Sequence, residues 1–170
     1  MPDPTIVAAQ DLFEDSVAGL RAAIEGLPAE ILNRRPAGED TNAIAVLAIH
    51  ALYSTRSWLS LATGAELPAR DRPAEFRVTA KDQADLLAEV DQVAAQCRAL
   101  LASATTWDSA RTGVATWRSG PEAKGGEESE SPPLDLEPVT AAWAMIHAIS
   151  HLKEHVAHAQ LTRQVVERRT

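Results

Sequence analysis

Apolar residues recur every third or fourth position in four separate segments, and that period commits each of them to an amphipathic helix. The first runs over about residues 5–27 and carries Val7, Phe13, Val17, Leu20, Ile24 and Leu27. Pro28 stops it or opens a short turn holding Ile31 and Leu32. Residues 34–40 form a connector, because the residue before Pro36 is pushed out of the α region. The second helix begins near Thr41, with Asp40 or Thr41 placed to cap it, and ends at Gly64. Residues 66–78 contain two prolines and read as loop with no strand. Thr79 is the expected cap of the third helix, whose buried stripe is Leu86, Val90, Val93, Cys97 and Leu100 and which ends around Thr105. The fourth takes Pro138 as its first residue and runs to about Arg168.

Between the third and fourth helices, residues 107–137 are irregular, with turn signals at Gly120-Pro121 and Gly125-Gly126 and an acidic run around Glu127 to Glu130. Such a composition buries little apolar area, so a mobile tip is expected, anchored at its start by Trp107 and Trp117. The acidic run lacks the alternating ligands of an EF-hand and is expected to be solvated. Alanine is the commonest residue and aromatics make up 4% of the chain, a balance that favours helices over strands. With 170 residues, the expectation is a single all-α domain, a four-helix bundle with a long irregular loop before the last helix. Bundles of this kind build their sites between facing helices.

A net charge of −8 repels phosphate backbones and anionic lipid, so neither nucleic acid nor membrane is an expected partner. The longest apolar run, residues 43–49, is far short of the roughly 20 residues needed to span a bilayer. The start Met1-Pro2-Asp3-Pro4 has no basic stretch of the signal-peptide kind, and the one cysteine, Cys97, cannot close an internal disulfide. A cytoplasmic location is expected.

Five histidines remain to be explained, and four of them, His147, His151, His155 and His158, fall within twelve residues of the last helix. At 100° per residue they lie within about 40° of His151, so they share one narrow face. That face also carries Trp143, Ala144, Leu161 and Val165, which marks it as inward. Burying imidazoles without partners is costly, which leaves a hydrogen-bonded polar seam or a metal site. His50 bears on the choice, because it sits mid-helix on a second apolar face with Val46, Leu47, Tyr53 and Ser54. Alone it would read as a satisfied core histidine. With imidazoles on a facing helix it can complete a set of three, leaving an open coordination position.

The strings Leu32-Asn33-Arg34-Arg35-Pro36, Ala43-Ile44-Ala45-Val46-Leu47-Ala48-Ile49-His50 and Trp58-Leu59 resemble the first half of the DinB/YfiT-like family of four-helix-bundle metalloproteins. Met145-Ile146-His147-Ala148-Ile149-Ser150-His151-Leu152-Lys153-Glu154-His155 is similar to that family's final-helix motif. The resemblance implies a divalent ion, usually zinc or nickel, held by His50, His151 and His155. His147 has a frequent equivalent in the family that is not usually a ligand. His158 stands where the family often has Gln, which leaves a His155–His158 pair or a fourth nitrogen open. The family includes thiol-dependent transferases and a mycothiol-dependent isomerase, and homodimers are common in it. The implied function is a metal-dependent enzyme of thiol-transferase or isomerase type, acting on a small molecule with a low-molecular-weight thiol. A metal-dependent hydrolase and a non-catalytic metal-stabilised bundle are the alternatives.

Other candidates carry plainer explanations. Tyr53, one turn after His50, can orient a substrate as a catalytic group, or be a half-buried aromatic. Arg34, Arg35 and Arg56 can bind a carboxylate, although surface charge is the commoner reason for such residues. Cys97, on an apolar stripe, reads as a buried structural thiol. Glu154 is expected to face outward, and Leu152-Lys153 after His151 excludes the HExxH pattern of zincin proteases.

Overall fold

The computed structural model describes residues 3–104, 107–115 and 137–168. Four long helices dominate: α1 (Pro4–Ile24), α3 (Ile44–Thr63), α5 (Gln83–Ser103) and α6 (Ala141–Glu167). Two single-turn helices, α2 (Ala29–Leu32) and α4 (Arg72–Glu75), lie in the connections before α3 and α5. Around the bundle the order is α1, α6, α3, α5, with α1 and α3 on one diagonal, so α3 lies between α5 and α6. The all-α bundle expected from the apolar period is the fold observed. Among the described residues, no helix is long and apolar enough to cross a membrane.

The helix ends show where local chemistry decides. Asp3 accepts the Thr5 N–H at 2.7 Å, and Pro4 follows it with no N–H to leave unsatisfied. Gly64, at φ 79°, closes α3 in the left-handed conformation, with the Ala65 N–H donating to the Ser60 carbonyl. Three expected starts are corrected. The cap of α3 is Ala43, without a side-chain bond, rather than Asp40 or Thr41. The Thr41 hydroxyl is engaged in the connector, donating to the Gly38 carbonyl and accepting from the Ala37 N–H. The cap of α5 is Asp82, which accepts from the Asp85 N–H, and not Thr79. The backbone beside Thr79 is held elsewhere, because both backbone groups of buried Ala80 pair with the Asn33 amide, at 2.7 and 2.8 Å.

Pro138 is likewise not the first residue of α6. The next two residues form β2 (Val139–Thr140), antiparallel to β1 (Thr112–Gly113), with Thr112 opposite Thr140 and Gly113 opposite Val139. Thr140 then caps α6 by accepting from the Trp143 N–H. The ladder lies close against the C-terminal end of α3. A Cβ on Gly113 would sit 2.6 Å from Leu61 Cδ1, and Trp107 Nε1 donates to the Ala62 carbonyl at 3.0 Å. Trp107 is therefore an anchor, as its position suggested. Trp117 and the acidic run near Glu127 lie outside the described residues.

The core is drawn from all four long helices, with Phe13, Leu20, Leu47, Leu52, Val90, Leu101, Met145 and Leu152 essentially inaccessible. From Ile44 to Leu52 every residue of α3 is buried, His50 among them at 6% exposure. A polar ring at such a place needs partners, and they lie on α6 and on α4.

Candidate metal centre

On α6, His151 and His155 stand one turn apart on the side facing α3, each half-buried. Their Nε2 atoms approach to 3.2 Å. His50 meets them from α3, with ring centroids 5.4 Å from His151 and 4.9 Å from His155. One nitrogen from each of the three rings lies within 4.8 Å of the others. A tetrahedral ion with metal–nitrogen bonds of about 2.0–2.1 Å requires ligand nitrogens roughly 3.4 Å apart, so the His151–His155 separation already matches one edge.

The protonation states also suit ligands. Burial first, and then the neighbouring imidazoles, push His151 down to about 3 and His155 down to about 4. Both rings are thus neutral at physiological pH, the form that offers a lone pair. Their Nδ1 atoms are buried without a protein hydrogen-bond partner. A self-sufficient polar seam would pair those nitrogens, so rings that leave them unpaired while bringing their Nε2 atoms together fit a coordinating role better.

The connection before α5 supplies what the sequence reading missed. Glu75, at the end of α4 and 3% exposed, lies 2.9 Å from His50 Nδ1 through its Oε2. Arg70 grips the same carboxylate, with Nε 2.7 Å from Oε1 and Nη2 2.9 Å from Oε2. Burial alone would raise the Glu75 carboxyl, but the bonds from Arg70 and His50 outweigh it and hold it below its ordinary value. Residues 66–78 read as loop, and the only local signal of α4 is Asp71 followed two residues later by Pro73. Asp71 does cap the turn, accepting the Ala74 N–H at 3.0 Å.

The other histidines take different neighbours. His147 stacks on Trp143, with centroids 4.7 Å apart and planes 10° apart, and meets the edge of buried Trp58. His158 is exposed, its centroid 6.5 Å from that of His155. Neither belongs to the close trio. The Tyr53 hydroxyl donates to Glu89 Oε1 at 2.5 Å, and that bond, with burial, raises its pKa. Arg56 covers the Tyr53 ring and donates to Gln96, Arg34 pairs with Glu30, and Arg35 bonds the Glu39 carbonyl. Cys97 is fully buried, and burial pushes its thiol up to about 12. Glu154 is exposed, as expected.

A pH dependence follows from the two depressed imidazoles. Their folded pKa values lie below the ordinary 6.5, so the unfolded chain binds more protons as pH falls from 6.5 towards 4. Stability therefore rises with pH across that window and is lost on acidification. For metal-free protein, moving from pH 7 to 5 is expected to cost about 2 kcal/mol, half the full linkage value because the rings are partly solvated. Urea midpoints at the two pH values measure it, and His155→Phe should flatten the difference. Midpoints that do not move with pH would contradict the neutral-ring assignment.

A family model described as the DinB superfamily matches residues 12–159. Among solved structures, the chain is similar to a conserved protein from Enterococcus faecalis, with a TM-score of 0.67, 13% identity and 98% of each chain covered. At that identity the likeness speaks for the fold alone. A search of curated proteins finds no match.

Proposed function

The chain belongs to the DinB superfamily, and from that premise we propose that it is a metal-dependent enzyme of thiol-transferase or isomerase type acting on a small molecule. His50, His151 and His155 would hold a divalent ion, zinc or nickel. The observation that carries this reading is the convergence of three imidazole nitrogens within 4.8 Å, two of them on rings kept neutral by burial. When bound, such an ion supplies Lewis acidity that favours the thiolate form of a thiol. The protein's own part is to present three nitrogens from one side, to keep the His151 and His155 rings neutral and to leave the remaining side for ligands. Tyr53, one turn along α3 from His50, would help to position the substrate.

The reading as a metal cross-link alone is disfavoured by packing. Leu52 of α3 and Ala148 and Leu152 of α6 are already fully buried in the common core, so the helices do not depend on an ion to meet. Cobalt-substituted protein provides the test. Adding glutathione, cysteine or mycothiol is expected to produce a saturable sulfur-to-cobalt charge-transfer band, and the chelated protein should keep its helical circular dichroism. Stoichiometric cobalt with no response to any of these thiols would reject the thiol chemistry. Collapse of the helical signal on chelation would favour the cross-link.

A further inference from the structure

We propose that Glu75, gripped by Arg70, is a positioning residue for the site, fixing His50 as its Nδ1–H tautomer so that Nε2 is the nitrogen left to bind. This inference rests on the metal-binding reading and identifies which part of the chain sets the strength of that binding.

Three observations lead to it. Glu75 is 3% exposed and the Arg70 side chain 4%, so the pair lies in the interior, where a charge is kept only if it is well satisfied. A guanidinium has donors only, so both carboxylate oxygens accept from Arg70, at 2.7 and 2.9 Å. A carboxylate held in that fork has no proton to give. The 2.9 Å contact must then be made by His50 Nδ1–H donating to Oε2. In a neutral imidazole that assigns the lone pair to Nε2. The residue after Glu75 adds a steric hold, since the Phe76 ring lies 4.6 Å from the His50 ring at a 42° tilt and has the Arg72 guanidinium over it, 5.0 Å from its centroid.

Histidine ligands whose second nitrogen donates to a carboxylate are fixed in tautomer and orientation and are more basic. Here that carboxylate comes from a single turn of helix outside the four-helix frame. A purely structural role, tying α4 to the bundle by the Arg70–Glu75 ion pair, would leave the affinity for metal unchanged.

The test titrates zinc into metal-free protein against a chromophoric chelator and records the visible spectrum of the cobalt form. Glu75→Gln is expected to weaken zinc binding about 10–100-fold and to alter the cobalt spectrum, with partial recovery in Glu75→Asp. In metal-free wild-type protein, long-range proton–nitrogen NMR should show His50 protonated on Nδ1. That measurement stands even if Glu75→Gln does not fold. Equal zinc affinity and identical cobalt spectra in wild type and a folded Glu75→Gln would overturn this assignment and leave the metal site intact, as would an Nε2–H tautomer at His50. Wild-type protein that binds no zinc would overturn the metal reading itself, and this assignment with it.

Discussion

Replacing His50 or His151 with alanine is expected to weaken zinc binding by roughly 100-fold or more, so that either variant is purified without its equivalent of metal. Four-ligand zinc sites in small peptides bind with about 10–16 kcal/mol, or about 3 kcal/mol for each ligand, and 1.4 kcal/mol is a factor of ten. His155→Ala should behave in the same way, whereas His158→Ala should retain the metal, because that ring is exposed and outside the close trio. Metal analysis of the purified proteins, followed by chelator competition, reads the outcome directly. Equal, stoichiometric metal in wild type, His50→Ala and His151→Ala would refute the ligand set.

The second large effect concerns the frame. Phe13 of α1 is fully inaccessible and packs within the core shared by the long helices. Phe13→Ala removes a ring that its surroundings can only partly close over, at a cost of about 3–5 kcal/mol. For a chain of this size, that corresponds to a melting temperature lower by on the order of 10 °C. The imidazoles lie on α3 and α6, so zinc affinity measured at a temperature where the variant is still folded should change little. A large loss of affinity in folded Phe13→Ala would mean that α1, through its packing on α6, sets the geometry of the site.

The parts of this molecule that were legible in its sequence are those fixed by local periodicity. The apolar recurrence in α1, α3, α5 and α6 gives four helices, but the inward face of α6 lies to one side of the one expected, since Trp143 and Leu161 are 44% and 59% exposed while Met145, Leu152 and Val156 are buried. The spacing of His151 and His155 puts two rings on one face before any tertiary contact exists. His50 could be singled out for the same reason, as a polar residue on the buried face of α3. What could not be read depends on the path of the chain between helices. Glu75 meets His50 only because residues 65–82 fold back along α3, and nothing in the order Arg70-Asp71-Arg72-Pro73-Ala74-Glu75 announces that return.

The misplaced helix starts have a similar cause. Thr41 and Thr79 are good caps by type, but the hydroxyl of Thr41 already serves the preceding turn, and the backbone beside Thr79 is held by Asn33. Competing partners from elsewhere decide such positions. The two-residue ladder before α6 is too short for any alternation to register, so Pro138 reads as a helix start.

The deep burial of Cys97 has a bearing on where sulfur chemistry can originate. With its thiol at about 12, the chain holds almost no ionised sulfur of its own near neutrality. Any nucleophilic sulfur at the imidazole cluster would therefore have to come from a second molecule. The same inertness makes the native protein slow to alkylate, so the rate of Cys97 labelling is a built-in gauge of how often the bundle opens.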